Sequence, residues 1–153
     1  MYETLLLNKD ATLALGAALA PLLQQGDMIA LWGGLGAGKT TLARGLLTSL
    51  CGEIDVPSPT FTLVQTYSLP AYTLWHFDLY RLKDPSELNE LAWEDTVEGV
   101  ALVEWPERAG DSLPVWRLDV TLIPEDGARR ARLEPQGEDW QKRLDDDSFR
   151  FPR

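Results

Sequence analysis

The chain has 153 residues, 44% of them apolar and 25% charged, which suits one globular domain with its own core and excludes a predominantly disordered chain. Fourteen Lys+Arg against 24 Asp+Glu leave a net charge of −10, arguing against an independent nucleic-acid binder, because affinity for phosphate backbones comes mostly from basic surface. The single cysteine, Cys51, excludes an internal disulfide and a multi-cysteine metal site and fits a reducing compartment.

Taken in order, residues 2–7 form a short strand-like run, after which Asn8 or Asp10 can cap a helix running towards Gln24. Leu15, Leu19 and Leu23 share one face of that helix, and Pro21 is expected to kink or shorten it. The apolar stretch 11–23 is shorter than the ~20 residues that span a bilayer. Ala18-Leu19-Ala20 has the small-residue form of a signal cleavage site, but Glu3 and Asp10 outweigh Lys9 ahead of it, so a cytoplasmic protein is expected. Residues 25–27 make a turn, 28–32 a buried and parallel strand, and 40–51 a helix stopped by Gly52. Two prolines make 55–61 a loop. Residues 62–69 and 72–79 are β-rich and separated by Pro70-Ala71, which predicts an antiparallel pair. Asp84-Pro85 opens a short helix, and 100–103 is another buried strand. Trp116, Leu118, Val120 and Leu122 alternate with Arg117, Asp119 and Thr121, the pattern of a half-buried strand. A turn at 124–127 returns the chain as a partner strand over 128–133; from Glu134 onwards the chain is polar and reads as a frayed helix and tail. The fold expected is α/β: one domain over 1–134 with a mixed, mainly parallel central sheet, an antiparallel insertion and a C-terminal β-hairpin, followed by a polar helix or tail over 135–153.

The strongest chemical signal is Gly33-Gly34-Leu35-Gly36-Ala37-Gly38-Lys39-Thr40, a full G-x-x-x-x-G-K-[ST] between an apolar strand and a helix. Glycines let the backbone turn tightly and bring successive N–H groups onto phosphate oxygens. The helix that follows aims its N-terminal dipole at the same anion. Lys39 places a charge on the β and γ phosphates, and the Thr40 hydroxyl ligates Mg²⁺. A merely flexible glycine turn would need neither Lys39 nor Thr40.

Such a site also needs an acid at a strand end to hold the metal's water shell. Asp78, after Trp75-His76-Phe77, and Glu104, after Ala101-Leu102-Val103, both end apolar runs expected to emerge at the carboxyl edge of a sheet. An ordinary cap or surface acid is the competing reading for each. Asp84, Glu87, Glu90, Glu94 and Asp95 read as a solvated helix face. His76 reads first as a packed core residue, and Trp105 either stacks on a base or packs in the core. Ser58-Pro59-Thr60-Phe61, ~20 residues past the loop, stands where P-loop switch proteins carry a γ-phosphate-sensing threonine, or is simply a stiffened turn.

These pieces in order, Gly-Leu-Gly-Ala-Gly-Lys-Thr-Thr at 34–41, Ser-Pro-Thr-Phe-Thr at 58–62, His-Phe-Asp-Leu-Tyr-Arg-Leu at 76–82 and Val-Glu-Trp-Pro-Glu-Arg at 103–108, resemble the TsaE (formerly YjeE) family over residues 4 to 134. The resemblance implies a P-loop NTPase fold and a weak ATPase that uses ATP and Mg²⁺. It also implies two partner subunits, TsaD and TsaB, which place a threonylcarbamoyl group on the tRNA adenosine next to the anticodon. ATP hydrolysis would reset that complex, and tRNA would be met through the partners. Carried over to this chain, the resemblance makes Lys39 a phosphate ligand and Thr40 and Glu104 the Mg²⁺ ligands. Asp78 takes the Walker-B-like position, also near the metal, and Thr60 the switch-like loop. The loop residues Gly34, Leu35, Gly36, Ala37, Gly38 and Thr41 would cradle the nucleotide, with Thr12 beside it. Trp105 and Arg108 would line the pocket, and Arg129 or Arg130 matches a basic position in the last hairpin. One departure stands out: the family usually has an acid where this chain has Gly34, so that acid's role has no holder here.

Other P-loop functions fit less well. No Asn-Lys-x-Asp reads guanine, since Asn8-Lys9-Asp10 has the wrong spacing and lies before the loop. Arg44, Arg81 and Arg108 are scattered and do not form the Arg-rich lid of a small-molecule kinase. The kinase and a non-hydrolysing regulatory module, the latter kept open by Gly34, are the two alternatives.

Overall fold

The computed structural model describes residues 1–52, Pro59, 62–146, Phe149 and Phe151. Among these, strands β1 (Tyr2–Leu6), β2 (Met28–Trp32), β3 (Val64–Ser68), β4 (Thr73–Asp78), β5 (Val100–Glu104), β6 (Arg117–Glu125) and β7 (Ala128–Gln136) form one sheet, in the order β1-β7-β6-β2-β5-β4-β3. The four central strands β6, β2, β5 and β4 run parallel, while β1, β7 and β3 pair antiparallel at the flanks. The expected mixed sheet, antiparallel insertion and terminal hairpin are therefore all present. No helix among the described residues is long and apolar enough to cross a membrane.

Helices α1 (Lys9–Leu19) and α2 (Lys39–Cys51) cover one face of the sheet. The Asn8 side chain caps α1 by accepting from the Ala11 N–H at 2.9 Å, a contact of the kind that contributes about 1 kcal/mol. Pro21 shortens the helix, and the chain tightens into a 3₁₀ turn over Ala20–Leu22. The two helices touch through glycines in mid-helix. A Cβ at Gly45 would lie 2.1 Å from the Leu13 carbonyl oxygen, and one at Gly16 would lie 2.2 Å from that of Leu42. Any side chain at either position would push the helices apart, and with them the start of α2.

The strands divide their side chains strictly between two cores. Ile29, Leu31, Leu74, Val100, Leu102, Leu118, Val120 and Leu122 pack beneath the helices. Phe77, Ala101 and Val103 face the opposite side, against 3₁₀ turns at Pro85–Glu90, Trp93–Glu98 and Pro106–Ser112. Asp84 caps the first of these turns through the Ser86 N–H at 2.9 Å, as its Asp-Pro start predicts.

The last hairpin departs from expectation at both ends. Trp116 lies just before the first register pair of β6 and is 71% exposed, so the buried alternation begins only at Leu118. The turn is confined to Asp126-Gly127, both at positive φ, the two-residue geometry that matches strand twist. β7 runs on to Gln136, and the polar stretch after it holds helix α3 (Glu138–Asp145). Trp140 and Leu144 of α3 are buried in the same core as α1 and α2, so this polar segment is a docked helix with an apolar stripe.

Candidate functional site

Because β2, β4, β5 and β6 are parallel, their carboxyl ends reach one edge of the sheet, and the glycine loop between β2 and α2 lies there. A cavity of about 520 Å³ opens at this edge. Its wall includes Leu35, Gly36, Ala37, Gly38, Lys39, Thr40 and Thr41 from the loop, Thr12 from α1, Asp78 and Glu104 from strand ends, Trp105, and Arg129 from the hairpin. Twelve of the residues singled out from the sequence thus meet around one space.

Gly34 and Arg108 do not line it. Gly34 sits on the exposed side of the loop, where an added Cβ would meet nothing within 4 Å, so space does not explain the absence of an acid there. Arg108 is exposed, with its guanidinium 5.8 Å from the centre of the Tyr80 ring at the rim. Thr60 and Ser58 lie outside the described residues. The wall also contains residues that sequence reasoning left unassigned, notably Asn8, Lys9, Tyr80 and Arg81. Asn8 announced itself only as a cap, and Arg81 only as a member of the 76–82 motif and as one of three scattered arginines.

Lys39 is 5% exposed. Its ammonium donates to the Gly33 carbonyl and lies 3.4 Å from the centre of the Trp105 ring. Burial holds its pKa below the ordinary lysine value, although Glu104, Glu107 and Asp78 all pull the other way. Trp105 reaches it through a left-handed backbone (φ 58°) directly after β5, a conformation that costs about 1–2 kcal/mol for a residue with a Cβ. The indole therefore packs on the lysine and on Tyr80, whose ring lies 4.8 Å away.

The Glu104 carboxylate is gripped on both oxygens. Thr40 Oγ1 donates to Oε1 at 2.8 Å, and His76 Nε2 lies 2.7 Å from Oε2. Asp78 is paired in register with Glu104 on the neighbouring strand, and its Oδ1 accepts from the Tyr80 N–H at 3.0 Å. A hydroxyl and a carboxylate in contact, with a second carboxylate one strand over, make a hard-oxygen donor set of the kind Mg²⁺ prefers.

The structure also separates Arg129 from Arg130. Arg129 Nε donates to the Ala37 carbonyl at 2.8 Å and Nη2 to that of Gly36 at 3.0 Å, bracing the loop from the hairpin. In a trans peptide the N–H points opposite its C=O, so this grip turns the Gly38 N–H away from the guanidinium. Arg130 instead pairs with Glu125 and Arg132 with Glu3, so the three arginines are not one basic patch.

With this geometry in place, comparison with known proteins is decisive. A family model described as "Threonylcarbamoyl adenosine biosynthesis protein TsaE" matches residues 6–132. The chain belongs to the TsaE family. The TsaE protein of Rickettsia bellii is 38% identical over 130 residues, 84% of this chain and 90% of that protein. The TsaE protein of Rickettsia felis is 44% identical over 125 residues, 80% of this chain and 73% of that protein. The crystal structure of Bacillus subtilis YdiB superposes with a TM-score of 0.77 at 27% identity, covering 94% of this chain and 91% of that one. The TsaE match spans β2 to β6 whole, the last residue of β1, the first five residues of β7 and both helices that shape the cavity.

Proposed function

We propose that this chain is the ATP-binding and ATP-hydrolysing subunit of the machinery that forms threonylcarbamoyladenosine in tRNA, the pathway to which its family belongs. The observation that carries the reading is the contact between the Thr40 hydroxyl and the Glu104 carboxylate, 2.8 Å, beside Lys39 at the start of α2 and inside a nucleotide-sized cavity. A helix N-terminus, a buried lysine and an oxygen pair in one cleft are what a nucleoside triphosphate with its metal requires.

In this reading the loop amides and Lys39 bind the β and γ phosphates, while Thr40 and Glu104 hold Mg²⁺. Bound there, Mg²⁺ supplies positive charge to oxygens that become more negative as the terminal phosphoryl group leaves. Asp78, one strand away, orients water at the same edge. Thr12 and Arg129 border the nucleotide, Trp105 closes over the lysine, and Thr60 senses the γ-phosphate through its loop. With Gly34 in place of the usual acid, Asp78 and Glu104 carry the water positioning, and turnover of the isolated chain is slow. The net charge of −10 supports a reading in which the tRNA-holding surface belongs to partner subunits, TsaD and TsaB, met in the cytoplasm.

The test is ATP hydrolysis by the purified chain, alone and with the TsaD and TsaB of its own genome, with and without tRNA. Slow turnover that rises on assembly is expected. Equal rates under every condition would overturn the coupled-ATPase reading and favour the kinase or the regulatory module.

A further inference from the structure

The side chains beneath the helices form a ladder that changes character one step before the cavity. On β4 the residues of this face are Leu74, His76 and Asp78; on β5 they are Val100, Leu102 and Glu104. On these two strands every residue of this face inward of the acids is apolar except His76, which has no exposed surface at all. Packing does not call for an imidazole there, since Leu74, Val100 and Leu102 fill the equivalent neighbouring positions. An apolar side chain would also avoid a cost, because His76 Nδ1 is buried with no hydrogen-bond partner among the described residues. What the imidazole contributes is its other nitrogen, 2.7 Å from Glu104 Oε2.

Glu104 Oε1 accepts from Thr40, and an ionised carboxylate offers Oε2 only as an acceptor, so with Glu104 ionised His76 Nε2 is the donor of this hydrogen bond. Glu104 is thereby held from both sides, by a hydroxyl that is itself a proposed metal ligand and by a donor that never reaches the cavity; His76 is absent from the cavity wall.

We infer that His76 is a positioning residue that orients the Glu104 carboxylate for the metal of the nucleotide site. The inference rests on the metal-dependent reading above. Its mechanism is that of an outer partner fixing a ligating carboxylate, where loss typically weakens metal affinity by about 10–100-fold. The requirement is geometric. Gln can place an amide N–H close to where Nε2 stands, whereas Asn, one methylene shorter, cannot reach Glu104, and Leu supplies volume without a donor.

The experiment uses the full chain as wild type, His76→Gln, His76→Asn and His76→Leu, with thermal melting to confirm folding. Mn²⁺ replaces Mg²⁺, and its affinity for the ADP-bound protein is read by electron paramagnetic resonance. ADP affinity in EDTA is measured alongside. The expected result is a fall in Mn²⁺ affinity of about 10–100-fold for His76→Leu and His76→Asn. His76→Gln should stay within about 3-fold of wild type, and metal-free ADP affinity should be unchanged in all four. Equal Mn²⁺ affinity in wild type and His76→Asn would overturn the positioning role while leaving the metal site standing, and this arm decides even if His76→Leu fails to fold. Parallel losses of Mn²⁺ affinity and metal-free ADP affinity would also overturn it, by showing general damage to the cleft. If wild type holds Mn²⁺ no better than free ADP does, the metal assignment itself falls, and the inference with it.

Discussion

The sheet buries a cation at each of its two edges and treats them in opposite ways. At the amino edge Arg143 of α3 donates to both oxygens of Asp27, at 2.5 and 3.0 Å, to the Leu22 carbonyl at 3.1 Å and to Asp139. Its guanidinium also lies 4.3 Å from the centre of the Trp140 ring. Burial works against the charge, yet the hydrogen bonds to Asp27 and Asp139 hold its pKa above the ordinary arginine value. At the carboxyl edge Lys39 faces the same two influences with the reverse outcome: burial prevails, because its direct contacts among the described residues are one carbonyl and one aromatic face. A buried cation enclosed by its own carboxylates fastens elements together; here it ties α3 to the turn before β2. A buried cation kept short of carboxylate contact holds its attraction in reserve for an anion from outside.

Four substitutions test that contrast. Lys39→Met should abolish measurable nucleotide binding by equilibrium titration while leaving the melting temperature unchanged or higher, since it removes a charge that burial opposes. The sign of the pH dependence follows from the same fact. The folded pKa lies below the reference 10.5, so the unfolded chain holds this proton more tightly, and stability gains as pH rises through the window between the two values. Lys39→Met should remove that gain. Arg143→Leu should do the reverse. It leaves Asp27 without a countercharge, held only by the Gln24 N–H at 2.7 Å, and should cost about 3–5 kcal/mol in urea unfolding, with ATP turnover per folded molecule unaltered. Loss of activity without loss of stability in this variant would break the comparison.

Glu104→Ala should lower ATP turnover by about 100-fold, with metal-free nucleotide affinity changed only a few-fold. Normal hydrolysis would remove it from the metal site. The smallest effect is expected for Arg129→Ala, which deletes two hydrogen bonds to the loop. A net loss of about 1 kcal/mol corresponds to roughly fivefold weaker nucleotide binding. A much larger loss would mean that Arg129 touches the nucleotide directly as well as bracing the loop.

Much of this protein follows from features that are local along the chain. The glycine loop, the Asn8 and Asp84 caps, the stop at Gly52 and the alternation from Leu118 to Leu122 each depend on residues a few positions apart, whose preferences survive without knowledge of the rest. The acids at 78 and 104 were legible for the same reason, as polar ends of apolar runs. Where local signals misled, a distant partner overrode them. Asp119 reads as the open side of a strand but is buried, because Trp32 Nε1 and Gln136 Nε2 donate to it across two neighbouring strands. The polar stretch after Glu134 reads as a frayed helix and tail; the helix over Glu138–Asp145 docks, because Trp140 and Leu144 are buried in the core shared with α1 and the sheet. Gly16 and Gly45 carry no local signal of their role, which is to let the two helix backbones approach closely. The sequence by itself determined the phosphate-loop motif, the family and nearly all of the strands and helices, since spacing and capping are written in adjacent residues. Only the tertiary structure decided that His76 serves Glu104, that Arg129 and not Arg130 braces the loop, and that Arg143 closes on Asp27. Those contacts join residues 28, 92 and 116 positions apart, and their energies depend on burial and geometry that no local pattern contains.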